Sequence, residues 1–158
     1  MFNKNEWKKE IFKEDLKKVI ISGLITAIIG GILAAIINYL FSLIHINVSI
    51  SVFVYAILIG LFVKRSYVNY HILYPVLTIL FMIIASIVSR FIYPFIVFFN
   101  FENYFKYLTS INSWLYILFG PIYNLTKIGG SDSLYIIISF IIHFACYFIS
   151  YRLAKGNN

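Results

Sequence analysis

The stretch VIISGLITAIIGGILAAIINYLFSLI, residues 19–44, contains no charged side chain and decides the class of fold. A transmembrane helix needs about 20 mostly apolar residues to cross a hydrocarbon layer of roughly 30 Å. This stretch is longer than that, and it lacks the small-residue cleavage site that ends a signal peptide. It therefore predicts a permanent membrane-spanning helix.

Three further apolar runs predict three more spans, at residues 48–63, 72–89 and 133–151. The run at 48–63 is short, about 24 Å at the helical rise of roughly 1.5 Å per residue. Pro75 lies in the first turn of the third span, where its missing N–H costs little. The fourth span follows a Gly-Gly-Ser-Asp breaker, so Ser131 or Asp132 is the expected N-cap.

The composition agrees with lipid as the solvent of the chain. Hydrophobic residues make up 61% of it and charged residues only 12%, against roughly 45–50% and about 25% in a soluble domain. A chain of 158 residues has too small an interior to bury so much apolar surface in water. We predict a single all-α transmembrane domain over residues 1–158, with four transmembrane helices in the lipid bilayer.

The basic residues predict the orientation. Ten lie on one side of the predicted membrane, namely six N-terminal lysines, Lys64, Arg65, Arg152 and Lys155, whereas Lys106 and Lys127 lie on the other. We expect a multi-pass protein of the cell membrane. By the positive-inside rule, both of its termini lie in the cytoplasm. Arg90 ends the third span and is expected to snorkel to the headgroups. This flanking pattern indicates no nucleic-acid partner.

Two segments are harder to place. Residues 91–131 are rich in Tyr and Phe and contain Pro94 and Pro121, which predicts an external cap in the interface or a re-entrant loop. The alternative is one long third helix that continues through Phe99 with a kink near Pro94. Residues 1–18 have apolar residues at helical spacing, which predicts a cytoplasmic amphipathic helix on the membrane surface. The alternative is a solvated extension of the first span.

Small residues share one face of the first span: Gly23, Ala27, Gly30, Gly31 and Ala34. This small-xxx-small pattern lets two helices approach closely in lipid. We interpret it as packing against another span of the same molecule. Contact with a second copy is the alternative, and a channel lined by glycine is a third reading.

Polar side chains within the spans form the second candidate set: Asn38, Ser139, His143 and Cys146. His143 lies near the middle of its span, so we expect it to face protein and to hydrogen-bond another span, through Thr78, Ser86, a backbone carbonyl or a buried water. The alternative is a ligand-binding or proton-relay histidine. Cys146 lies one helical turn from His143, but a cysteine in apolar surroundings is a poor nucleophile.

No nucleotide, metal or redox motif occurs, and the spans contain no Asp, Glu or Lys. We therefore predict no catalytic centre, metal site or cofactor. The favoured function is a subunit or accessory protein that binds other membrane subunits, or itself, through helix–helix contacts. An oligomeric channel or transport component is the alternative, and an intramembrane enzyme is the third possibility.

Overall fold

A computed structural model describes residues 10–44, 50–125 and 133–156. Over these ranges the chain forms helices joined by turns and contains no strand, as the sequence predicts. The helices are α1 (Lys13–Leu43), α2 (Ser51–Arg65), α3 (Leu73–Phe98), α4 (Phe101–Leu108), α5 (Ile111–Leu125) and α6 (Ser133–Lys155). Of these, α1, α3 and α6 are long and apolar enough to cross a membrane.

The predicted second span corresponds to α2, which has 15 residues. At a rise of roughly 1.5 Å per residue it is about 22 Å long, short of the hydrocarbon thickness of roughly 30 Å. It nevertheless packs against α1, α3 and α6, so these four helices form one bundle. A fourth membrane crossing by α2 stays a prediction.

The third span is longer than its predicted limit at Ser89. Helix α3 runs on to Phe98, and Phe99 ends it in the left-handed conformation at φ 45°. Pro94 lies inside this helix and removes only the hydrogen bond to the carbonyl of Arg90, a loss that membrane helices tolerate. The helix therefore extends beyond Ser89, as in the alternative of one long helix through Phe99. Where the membrane-spanning part of this helix ends stays a prediction.

The predicted surface helix is not a separate element in the part that the structure describes. Residues 10–12 are not helical, and residues 13–18 are the first turns of α1. Asp15 in these turns is buried at the α2–α3 loop. Its carboxylate accepts hydrogen bonds from the backbone N–H groups of Val68 (3.3 Å) and Asn69 (3.0 Å). The rest of the predicted surface helix, residues 1–9, lies outside the described residues.

The small-residue face of α1 is buried inside the bundle. A Cβ added to Gly31 would lie 2.6 Å from the carbonyl oxygen of Ala85, and one on Gly30 would lie 2.7 Å from Cβ of Tyr55. Gly23 contacts the ring of Phe81 in the same way, and Ala27 and Ala34 are fully buried. This face therefore contacts α2 and α3 of the same molecule.

The described part of the predicted cap is residues 91–125, of which 91–98 continue α3 while 101–108 and 111–125 form α4 and α5. Tyr104 fixes α4 to the end of α3, because its hydroxyl donates to the carbonyl of Phe91 at 3.2 Å and its ring packs edge-on against Phe95. Trp114 fixes the start of α5 by donating from Nε1 to the carbonyl of Leu108 at 2.7 Å. We call the α4–α5 end of the bundle the cap end. The end with the start of α1 and the close of α6 is the terminal end.

Candidate functional site

Three of the four predicted polar residues, Asn38, Ser139 and His143, line one cavity of about 80 Å³ inside the bundle. The cavity lies between α1, α2, α3 and α6, with α5 against it. Its other lining residues are Ser51, Val52, Tyr55, Ser86, Ser89, Arg90, Tyr116, Gly120, Pro121 and Asn124. Most of these side chains can donate a hydrogen bond, which is unusual between helices this apolar.

Arg90 is the charged residue of this cavity. Its Nε donates to the carbonyl of Ser86 at 3.0 Å, its Nη1 donates to the carbonyl of Tyr116 at 3.0 Å, and its Nη2 donates to the hydroxyl of Ser86. A guanidinium has five N–H groups, so two of them have no acceptor among the described residues.

Arg90 also lacks a carboxylate partner over the described ranges 10–44, 50–125 and 133–156. The ion pair found there joins Lys106 to Glu102 on α4, at 2.8 Å on the exposed surface. A cation at membrane depth normally pairs with an acid or a carbonyl. Among the described residues, the guanidinium is therefore held by neutral groups alone.

The expected snorkelling of Arg90 does not occur. Its side chain folds back by one turn toward Ser86, the direction in which helical side chains lean. Gly120 on α5 makes room for it, because a Cβ at this position would overlap the guanidinium. The observed position of the Arg90 side chain therefore requires a residue without a side chain at position 120.

His143 is half-buried at the cavity wall, and its Nδ1 lies 2.8 Å from the carbonyl oxygen of Ser139 on the same helix. A carbonyl only accepts, so Nδ1 carries the proton. In the neutral ring, Nε2 is then an acceptor. Of the expected partners on other spans, Thr78 donates instead to the carbonyl of Pro75 at 2.6 Å. The carbonyl that pairs with His143 belongs to its own helix, so the expected bond to another span is not seen among the described residues.

Cys146 does not join this cavity. It is fully buried on the side of α6 that packs into the core, with Ser150 and Ala154. His143 and Cys146 thus lie on different faces of α6. His143 faces the cavity, and Cys146 faces the packed core. Over the described residues, no three His, Cys, Asp or Glu side chains gather closely enough to hold a metal ion.

No family model, curated protein or solved structure matches the chain. Function is therefore argued from the site alone.

The cavity belongs to the cap end of the bundle. Asn38 lies near the close of α1, Ser51 begins α2, and Ser139 lies in the second turn of α6. Asn38 and Ser51 are joined by a hydrogen bond of 2.6 Å from the serine hydroxyl to the amide oxygen. All helices of the bundle thus contribute polar side chains at the same end.

The terminal end is closed by hydrogen bonds. Besides the Asp15 contacts with the α2–α3 loop, the hydroxyl of Tyr67 donates to the carbonyl of Ala154, which joins this loop to α6. The hydroxyl of Tyr74 donates to the carbonyl of Phe12 at 3.4 Å. Aromatic rings of Tyr67 and Tyr74 stack 5.1 Å apart between these contacts. The polar cavity therefore lies at one end of the bundle, with a packed and bonded layer at the other.

Sequence reasoning missed Arg90 and the residues that surround it. One signal was present, because Ser86 lies four residues before Arg90 and helical side chains lean toward the N-terminus. No comparable signal exists for Ser51 or Asn124. Each reaches the cavity only through the packing of its helix against the others, which the sequence pattern does not specify.

Proposed function

We propose that the protein is a non-catalytic subunit or accessory protein of a membrane assembly, bound to a partner through helix–helix contacts. The observation that supports this most is the poor burial of α6. This helix buries three side chains, Cys146, Ser150 and Ala154. Helices α1 and α3 bury nine each.

The first half of α6, residues 133–145, contains no fully buried side chain. Yet Ser139 and His143 in this half form the wall of the polar cavity, and both are only half-buried. Polar side chains at membrane depth almost always face protein or a water-filled space. A neighbouring helix against this half of α6 would shield that wall from lipid.

The exposed side of α6 has a pattern suited to such a neighbour. Exposed apolar residues follow one another at alternating steps of four and three: Leu134, Ile138, Ile141, Ala145 and Phe148. This is the spacing of a left-handed helix pair, in which each residue fits between residues of the facing helix. The small Ala145 at its centre permits close approach.

The same seam favours a different protein over a second copy. Its next position is Arg152, which is exposed and lies over the ring of Phe148 at 5.8 Å. Two parallel copies paired through this seam would place their Arg152 side chains opposite each other, and like charges in contact are unfavourable. A partner helix with a neutral or acidic residue at that level avoids this repulsion.

We favour binding over transport, because a conducting path needs polar groups at both ends. The described bundle has its polar cavity at the cap end and the bonded Asp15 and Tyr67 layer at the terminal end. A transport component would therefore need a further path between protomers. We also propose, from the distribution of Lys and Arg, that the terminal end faces the cytoplasm of a cell membrane.

Site-specific photo-crosslinking in native membranes tests the proposal. A benzophenone amino acid is introduced at Ile141 on the seam and, as a matched control, at Ile25, an isoleucine of α1 that is 53% exposed. We expect position 141 to crosslink to one discrete membrane protein and position 25 to crosslink to lipid only. Adding Ala145→Trp to the Ile141 probe should remove that crosslink. Equal products from both positions, or a second copy of the chain as the only product, would refute the proposed hetero-contact.

A further inference from the structure

The cavity contains a positive charge and free hydrogen-bond donors, with Nε2 of His143 as an acceptor on its wall. Arg90 has two N–H groups without an acceptor over the described ranges, in addition to its positive charge. The amide oxygen of Asn38 accepts from Ser51, which leaves the amide N–H₂ of Asn38 as a donor group at the cavity wall. The positive charge of Arg90 attracts an anion, whereas it does not attract a cluster of neutral water molecules in the same way.

Two further polar side chains reach the same space from other helices. Ser89 is buried and lines the cavity. Asn124 lines it from α5. Donors therefore come from α1, α3 and α5, that is, from several directions around one small volume.

The volume limits the ligand. The cavity has a volume of about 80 Å³ and is partly open to the outside of the bundle. Pockets for drug-sized molecules are much larger, about 300–1,000 Å³. One phosphate-sized group fits, while the remainder of a larger molecule would have to lie outside.

The direction of the donors separates the candidate anions. A carboxylate has two oxygens in one plane and suits a single guanidinium fork. A phosphate group offers oxygens in a tetrahedral array, which suits donors that converge from three helices. The free N–H groups of Arg90 would meet one side of that array and the amides of Asn38 and Asn124 the others.

We propose that the cavity around Arg90 is a binding site for one phosphate-type oxyanion at the cap end of the bundle. The group comes either from the headgroup of a phospholipid in the adjoining leaflet or from free phosphate. Bound phosphate neutralises a cation that has no carboxylate partner in the described chain. The inference goes beyond the proposed function and does not depend on the partner contact at α6.

The experiment uses the full chain in a mild detergent, with chloride replaced by inorganic phosphate at constant ionic strength. Binding is followed through the thermal unfolding midpoint of the chain. Native mass spectrometry of the same preparation reports any retained phospholipid by its mass. A phospholipid adduct identifies the lipid as the source, and phosphate-dependent stabilisation of adduct-free protein identifies free phosphate.

Three substitutions make the test specific. Arg90→Gln should weaken phosphate binding at least tenfold or abolish the lipid adduct. Lys106→Gln removes one positive charge from the exposed α4 instead, so we expect its binding to stay within twofold of wild type. Asn124→Asp hardly changes the shape of the side chain but adds a carboxylate to the cavity wall. It should remove binding even if Arg90→Gln does not fold.

The opposite results are equally definite. Wild type that retains no phospholipid and gains no stability from phosphate would overturn the inference, as would an equal loss in the Arg90 and Lys106 variants. Asp132 lies outside the described residues, and an Asp132→Asn variant that binds phosphate tenfold more tightly than wild type would show that this carboxylate occupies the site. The crosslink at position 141 is measured separately, so failure of the anion site and failure of the partner contact are distinguishable.

Discussion

Gly31→Ala probes the closest contact between α1 and α3. The added Cβ would lie 2.6 Å from the carbonyl oxygen of Ala85 and 2.8 Å from Cβ of Val88. The nearest of these atoms belongs to the backbone of α3, so no side-chain rotation can relieve the overlap. The two helices must move apart along this part of their interface.

The expected free-energy change is the difference of two effects. Overpacking a closely packed interior costs about 1–3 kcal/mol, and Ala is favoured over Gly in a helix by about 1 kcal/mol. We expect Gly31→Ala to lower the free energy of unfolding by a net amount of up to about 2 kcal/mol. At roughly 2–4 °C per kcal/mol for a chain of this size, the thermal midpoint should fall by up to about 8 °C.

Thermal unfolding in detergent, followed by circular dichroism, measures this shift. Ile25→Phe is the control, because it adds bulk to an exposed position of α1 and should change stability by less than about 0.5 kcal/mol. A rise in the midpoint of Gly31→Ala would mean that helix propensity outweighs the overlap. The described approach of α1 to α3 would then be wrong.

Three further predictions concern the terminal end and the orientation. Asp15→Asn weakens the two backbone hydrogen bonds to the α2–α3 loop and should lower stability by about 1–2 kcal/mol, whereas Glu14→Gln on the exposed side should have no measurable effect. Burial raises the pKa of Tyr67 from 10.0 to about 12; the unfolded chain then loses this proton first, so stability should fall as pH rises from 10 to 12. In Tyr67→Phe, that fall should be smaller by an amount on the order of 1 kcal/mol. In a chain without its native cysteine, an impermeant thiol reagent on intact cells should label Ser110→Cys and spare Val68→Cys, and the reverse pattern would contradict the proposed orientation.

The helical membrane class could be predicted from the sequence, because an uncharged apolar run as long as residues 19–44 is typical of a transmembrane helix. The boundary of the third span could not be read with the same certainty. Pro94 and the aromatic residues after Ser89 resemble a helix end in water, yet the packing of Phe91 and Phe95 against Tyr104 accompanies a continuous helix.

The candidate site could be predicted only in part. The sequence singled out His143 and Ser139, because polar residues in a span are conspicuous. Arg90 was assigned to the headgroups, since an arginine near the end of a span can extend in either direction. The Arg90 side chain points inward, where Gly120 leaves space for it and the carbonyl of Tyr116 accepts a hydrogen bond from it. Both of these residues lie on α5, about 30 residues later in the chain. Such a contact is not encoded in local periodicity.

Native mass spectrometry of the wild-type protein, released from nanodiscs prepared directly from cell membranes, tests the central proposal most directly. One chain has a mass of 18.4 kDa. The proposed role predicts a heavier particle that contains one copy of this chain together with a different membrane protein. A particle of 18.4 kDa with no protein companion, found across nanodisc and mild-detergent preparations alike, would contradict it.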